Sequence, residues 1–85
     1  MNLSFSNPLG LAAGMDKNGD NLSNWDNLGF GWQEIGGITF HQQDGNAKPR
    51  MFRSNRHKAL INRMGLNNLG SQAIADKMRK IKLKG

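Results

Sequence analysis

The sequence has no cysteine, only two histidines and no long apolar run. A chain without cysteine forms neither disulfides nor thiolate zinc sites, and His41 and His57 lack the spacing of metal ligands. No stretch approaches the roughly 20 apolar residues that a membrane span needs, and residues 1–10 have neither the basic start nor the apolar middle of a signal peptide. These absences predict a metal-free protein of the cytoplasm.

Two common kinds of active site are also missing. The glycine-rich stretch GFGWQEIGG matches neither the dinucleotide-binding GxGxxG pattern nor a Walker sequence, so no phosphate-cradling loop is visible. No Ser-His-Asp arrangement can be picked out, which leaves hydrolysis without support.

The chain contains 85 residues, of which 36% are hydrophobic and eleven are glycine. This composition is that of a globular protein, and no linker or repeat divides it, so residues 1–85 are predicted to form one unit. A chain of this size buries only about 60% of the surface of its unfolded state, so its core is expected to be small.

The net charge is +6, and residues 77–84 hold five cations and no acid. Such a run can bind nucleic acid or anionic lipid. Cations in the last turns of a helix also interact favourably with the helix dipole, and we prefer this interpretation of the basic run.

Apolar spacing predicts an α/β order in the first half. Residues 9–13 are predicted to form a short buried strand. The spacing of Leu22, Trp25 and Leu28 predicts one face of a helix, and this helix would end at Gly29. Residues 32–39 read as a second strand. A strand, a helix and a strand with short connections predict a parallel crossover.

The second half is more polar. Residues 41–58 read as an excursion with turn signals, and residues 59–68 as a short strand that breaks at Gly65. A second helix is predicted with Ser71 as its N-cap and Gly85 near its end. Its apolar face would carry Ala73, Ile74, Met78 and Ile81.

Turns rich in small residues follow the predicted strands in AAGMDK, GGIT and NRMGLNN. In α/β proteins ligands bind at the carboxyl ends of strands. A flat ring lying on Ala12–Gly14 and Gly36–Gly37 would meet mostly main chain, with Lys17 and Asn62 at its polar edges. The alternative is that these glycines only make tight turns.

The motifs NPLG, GLAAGMDKNG, EIGGIT, GNAKPRMFR and INRMGLNNLG, in this order, closely resemble the N-terminal part of dihydroorotate dehydrogenases, particularly the membrane-associated, quinone-using class. The match covers residues 7–70 and continues more loosely through the last helix. That family folds as a (β/α)8 barrel, binds FMN, and oxidises dihydroorotate to orotate in de novo pyrimidine synthesis. The resemblance implies that this chain forms the first two strand–helix units of an incomplete barrel.

The resemblance also implies roles for single residues. The backbone of Ala12, Ala13 and Gly14 would lie against the flavin, with Gly37 also beside it. Lys17 would sit where substrate and flavin meet. Asn62 matches the substrate-binding asparagine, and Arg63, Met64, Gly65 and Leu66 complete the substrate loop.

The chain departs from the family's pattern in two residues and in length. Gly37 stands where relatives carry serine or threonine, and Leu66 replaces a phenylalanine. No residue here matches the catalytic base, the FMN phosphate loops or the N-terminal helical extension that meets quinone and membrane. The polypeptide alone is therefore expected to be inactive, and no catalytic residue is assigned. One alternative is a short protein that pairs with a complementary barrel fragment or a homologue; a basic nucleic-acid-binding module is another.

Overall fold

The computed structural model describes residues 1–83, where strands and helices form an α/β fold. Gly85, expected near the end of the second helix, lies outside the described residues. The strands are β1 Gly10–Leu11, β2 Trp32–Gln33, β3 Met51–Ser54 and β4 Ala59–Asn62, and the helices are a 3-10 turn at Ala13–Met15, α1 Leu22–Asn27 and α2 Ser71–Arg79.

Strands β1 and β2 pair in parallel, with Gly10 opposite Trp32 and Leu11 opposite Gln33, as the strand–helix–strand order predicted. Both strands are shorter than expected. The expected second strand reached residue 39, but the N–H of Thr39 donates to the side-chain oxygen of Asn68 at 3.2 Å and not to a neighbouring strand. A side chain from a distant loop therefore takes the place of a strand partner.

Helix α1 begins beside a buried carboxylate. Asp16 accepts hydrogen bonds from the N–H groups of Asp20 at 2.9 Å and Asn21 at 2.8 Å, just before the helix starts. Gly29 has a φ of +93°, and its N–H donates to the carbonyl of Asp26 at 3.1 Å. The expected glycine at the end of this helix is thereby confirmed, because the left-handed backbone region suits glycine.

Residues 41–58 contain a strand that the polar composition did not predict. Strand β3 pairs with β4 as an antiparallel hairpin in which Phe52 lies opposite Ile61. The predicted strand at the start of residues 59–68 is confirmed as β4, but its partner is β3 and not the parallel pair. The hairpin leaves its large apolar side chains exposed, namely Met51, Phe52, Leu60 and Ile61.

Helix α2 starts one residue earlier than its expected cap implies. Gly70 is the N-cap, and its carbonyl accepts from the N–H of Ile74, so the expectation of Ser71 as N-cap was wrong. The Ser71 hydroxyl instead donates to the carbonyl of Phe40 at 3.3 Å. On the predicted apolar face, Ile74 is buried, whereas Ile81 lies beyond the end of the helix.

The core is small, as the chain length predicted. Among the described residues the buried hydrophobic side chains are Leu11, Leu22 and Ile74, contributed by β1, α1 and α2. A charged pair between Lys77 and Asp20 joins α2 to the loop before α1. Polar contacts between segments therefore carry much of the tertiary structure.

Candidate functional site

The turn after β1 presents an open main-chain surface. Residues 13–15 form the 3-10 turn, with Ala12 extended before it. Ala12 and Gly14 are exposed, and a Cβ added to Gly14 would meet no other atom within 4 Å. The space above Gly14 is thus free of this chain's own atoms, and a flat group could approach the backbone there.

Lys17, predicted to bind both cofactor and substrate, reaches across to a distant segment. Its ammonium group donates to the side-chain oxygen of Asn67 at 2.9 Å, and both residues are half-buried. The neighbouring Asn18 accepts from the N–H of Leu69 at 3.0 Å. Two hydrogen bonds therefore fix the loop after β1 against residues 67–69.

The loop after β2 contains Gly37, predicted to lie beside the cofactor. The Gly36–Gly37 peptide bond is cis, and Gly37 is exposed. A Cβ added to Gly37 would come within 3.1 Å of the Leu66 side chain. The predicted flavin-side glycine and the predicted substrate loop are therefore neighbours.

The predicted substrate loop, residues 62–66, starts at the last residue of β4. Asn62 is exposed, and its side-chain oxygen accepts from the N–H of Met64 at 3.5 Å. The Arg63 guanidinium donates to the carbonyl of Pro49 at 3.2 Å, so this cation contacts main chain. In the structure Arg63 thus holds the loop in place.

Residues 43–46 bind the other side of the same loop through hydrogen bonds. The side-chain amide of Asn46 donates to the carbonyl of Arg63 at 2.7 Å, and its backbone N–H donates to the carbonyl of Met64 at 2.9 Å. Gly65 has a φ of +79°, and a Cβ there would come within 2.8 Å of the Asn46 nitrogen. A side chain at position 65 would therefore push Asn46 away from the loop.

Asn68 is a buried residue that links distant segments through its side chain, and sequence reasoning did not identify it. Only 4% of its surface is exposed. Its side-chain oxygen accepts from the N–H groups of Thr39 at 3.2 Å and Gly70 at 2.9 Å, while its amide donates to the carbonyl of Leu66 at 2.7 Å. An asparagine two residues before a glycine was the available signal, but Thr39 lies 29 residues away in sequence and could not be identified from it.

The structure brings together three of the predicted segments. The loop after β1 meets residues 67–69 through Lys17, and the loop after β2 meets residues 66–68 through Gly37 and Thr39. Within residues 1–83, no group of three or more histidine, cysteine or acidic side chains is placed to hold a metal ion.

An apolar groove lies outside this cluster of loops. It has a volume of about 320 Å³ and separates the N-terminal segment from both helices. None of the predicted site residues lines it. Its walls include Leu3, Phe5, Leu22, Phe30, Trp32 and Met78.

The basic run of residues 77–84 is partly engaged in ion pairs. Lys77 pairs with Asp20, and Arg79 pairs with Asp76 at 2.6 Å one turn earlier in α2. Both cations lie in the last turn of the helix, where they favour its dipole. Lys84 lies outside the described residues.

Comparison with known proteins gives one consistent result. A family model described as dihydroorotate dehydrogenase matches residues 1–84. A dihydroorotate dehydrogenase (quinone) from Chromobacterium violaceum is 55% identical over 85 residues, which are all of this chain and 25% of that protein. A protein of the same name from Trichodesmium erythraeum is 54% identical over 77 residues, which are 91% of this chain and 20% of that protein.

A solved structure agrees with these sequences. The crystal structure of a dihydroorotate dehydrogenase from Eimeria tenella, in complex with ferulenol, superposes with a TM-score of 0.85 at 45% identity. The match covers 92% of this chain and 21% of that chain. The α/β fold described above is thus similar to that of such an enzyme, and the chain spans about a quarter or less of the length of these relatives.

Proposed function

Because the chain belongs to the dihydroorotate dehydrogenase family, we propose that its residues form part of the FMN and dihydroorotate site of an oxidoreductase in de novo pyrimidine biosynthesis. The observation that carries this proposal is the hydrogen bond between Lys17 and Asn67. It joins the loop proposed to hold the cofactor to the segment that follows the proposed substrate loop.

The residues around Gly14 fit a flat cofactor. Ala12, Gly14 and Gly37 are exposed, and the space in which a Gly14 side chain would lie is open. An isoalloxazine ring needs such a surface, because any side chain would keep it from the main chain. We assign Ala12, Ala13, Gly14, Lys17 and Gly37 to FMN binding. When bound, FMN accepts the electrons removed from dihydroorotate.

The substrate side of the site consists of Lys17 and residues 62–66. The Asn62 side chain is exposed at the end of β4, and an amide can both donate to and accept from a pyrimidine ring. The Lys17 ammonium carries the positive charge that a carboxylate substrate requires. We assign Arg63, Met64, Gly65 and Leu66 to the wall of the substrate site.

The architecture of the parent enzyme follows from the same proposal. We propose that β1, α1 and β2 open a (β/α)8 barrel, whose parallel strands bring ligand-binding loops to one end. The quinone in the relatives' names points to a quinone electron acceptor, and we propose a cytoplasmic site of reaction. Among residues 1–83, no helix has both the length and the apolar character needed to cross a bilayer.

FMN titration tests the cofactor site. In the intact polypeptide that contains these residues, Gly14→Leu fills the open space and is expected to raise the FMN dissociation constant at least tenfold, a loss of about 1.4 kcal/mol. Ser23→Leu adds similar bulk at an exposed position of α1 and is the matched control. An unmodified protein that leaves FMN fluorescence unchanged would contradict the proposal, as would equal FMN affinity in the Gly14 variant.

A polypeptide of only these 85 residues is proposed to be inactive, because no residue in it matches the family's catalytic base. Dihydroorotate-dependent reduction of a dye measures this directly, with free FMN as the background. A rate above that background would show that the 85 residues contain a complete catalytic apparatus.

The exposed hairpin favours a second proposal, in which a complementary barrel segment or homologue covers this polypeptide. Met51, Leu60 and Ile61 each expose more than half of their surface. Co-expression with residues corresponding to the remainder of a relative tests this, and Leu60→Asp with Ile61→Asp should abolish co-purification. Persistence of the complex in that double variant would place the contact elsewhere.

A further inference from the structure

We propose that Asn67 is a positioning residue, which holds the Lys17 ammonium group in place between cofactor and substrate. This inference rests on the proposed function of Lys17. The two residues are 50 positions apart in sequence, yet the side-chain oxygen of Asn67 accepts from the Lys17 ammonium at 2.9 Å. A lysine side chain has many rotamers, so an acceptor at its end is needed to keep the charge in one position.

The acids near Lys17 in sequence have other partners. Both carboxylate oxygens of Asp16 accept backbone N–H groups at the start of α1. Asp20 pairs with Lys77 of α2. Lys17 therefore donates to a neutral amide oxygen of a distant segment, although two carboxylates lie within three residues of it in sequence.

A neutral acceptor suits a lysine that must bind an anion. An amide oxygen orients the ammonium group by a charge-assisted hydrogen bond but leaves its net charge unchanged. A carboxylate at position 67 would orient the ammonium equally well and cancel that charge. Dihydroorotate and orotate are carboxylates, so the charge on Lys17 must remain available to them.

Asn67 is itself held on both sides. Its neighbour Asn68 is buried and bonds to the backbone of Leu66 and Gly70, which fixes the chain around position 67. A Cβ added to Gly45 would come within 2.9 Å of the Asn67 Cβ, so the turn at Gly45 packs against this residue. The acceptor is thus attached to a constrained segment, as a positioning role requires.

The first experiment needs no ligand and measures the rate at which each lysine is reductively methylated, by peptide mass spectrometry on the intact polypeptide. Asn67→Leu removes the acceptor and should raise the Lys17 rate several-fold relative to Lys48 and Lys58. Asn67→Asp keeps an acceptor and should leave Lys17 protected. The matched control is Asn18→Leu, which breaks a similar bond between the same segments without touching the ammonium group.

The second experiment measures orotate affinity in the FMN-loaded intact polypeptide. Asn67→Leu should raise the orotate dissociation constant about tenfold, the usual scale of one charge-assisted hydrogen bond. Asn67→Asp should raise it at least as much, although Lys17 stays protected from methylation. Asn18→Leu should raise the constant less than Asn67→Leu does, because Asn18 accepts from the N–H of Leu69 and does not contact the ammonium group.

A double-mutant cycle separates positioning from a general effect on the fold. If Asn67 acts through Lys17, Asn67→Leu should have no further effect on orotate binding once Lys17→Met is present. If the two substitutions weaken orotate binding independently, their fold-losses of affinity multiply in the double variant, and that result would overturn the inference. So would orotate affinity unchanged in Asn67→Leu, and the proposed function would then still stand. Failure of the unmodified FMN-loaded protein to bind orotate would overturn both.

Discussion

Gly37 and Leu66 are neighbours in space, since a Cβ on Gly37 would come within 3.1 Å of the Leu66 Cδ2 atom. Both positions are predicted from the sequence to depart from the motifs of the family. The predicted departures therefore meet at one contact of the proposed site. We interpret the two departures as one local change in packing.

Gly37→Ser is expected to be tolerated. The nearest atom is the end of a flexible side chain that is 56% exposed, so Leu66 can move aside. We expect the free energy of unfolding to change by less than about 1 kcal/mol. If the hydroxyl reaches the cofactor, FMN affinity should increase a few-fold, as one hydrogen bond would provide. A large loss of stability in chemical denaturation would show that Leu66 is fixed.

Gly10→Ala should destabilise the parallel pair. The Trp32 indole lies over Gly10, so an added Cβ would overlap the ring. Forcing such a side chain aside typically costs about 1–3 kcal/mol. Chemical denaturation measures this cost, and Gly14→Ala is the control because its Cβ would meet no atom within 4 Å. Equal stability of the two variants would mean that the indole is not held against β1.

Asn68→Ala should be the most damaging of the single polar truncations considered. It removes the acceptor for the N–H groups of Thr39 and Gly70 and the donor to the Leu66 carbonyl, all around a residue that is 4% exposed. Buried groups left without partners cost about 1–3 kcal/mol each, so we expect a loss of at least about 2 kcal/mol. Asn24→Ala, which removes a 3.5 Å contact between exposed side chains, should change stability little. Similar thermal midpoints for both variants would contradict a structural role for Asn68.

Asp16→Ala should weaken the start of α1. Two backbone N–H groups lose a buried carboxylate acceptor, and truncation of such a partner usually costs about 1–2 kcal/mol. The control is Asp76→Ala, because the ion pair of Asp76 with Arg79 joins half-exposed and exposed side chains and contributes little. Circular dichroism during denaturation compares the two variants. An unchanged denaturation midpoint in Asp16→Ala would show that this carboxylate does not stabilise the start of α1.

The first strand, helix and strand could be predicted because their order follows from local patterns. Apolar residues spaced three apart gave α1, and Gly29 marked its end. Strand β3 was not predictable in this way, since its apolar residues lie in a polar, cationic segment and its stability depends on pairing with β4. The intrinsic strand propensity of a segment is a weak guide to its structure where pairing with another strand stabilises it.

The candidate site was predictable only as separate motifs. Small residues near Lys17 and Gly37 suggested places where a ligand could approach the chain. Nothing in their spacing indicated that Asn67 would meet Lys17, or that Asn68 would bond to Thr39. Polar contacts between distant segments leave no periodic signal, so their partners emerge only when the chain is folded.

The Asn68 side-chain oxygen accepts from two amides that are 31 residues apart, those of Thr39 and Gly70. Neither amide can exchange its hydrogen with solvent until this shared acceptor moves away. Hydrogen exchange at both should therefore report a single opening event with one free energy. The loop beside the proposed flavin and the segment after the proposed substrate loop would then open together, and a ligand that slows exchange at one amide should slow it at the other.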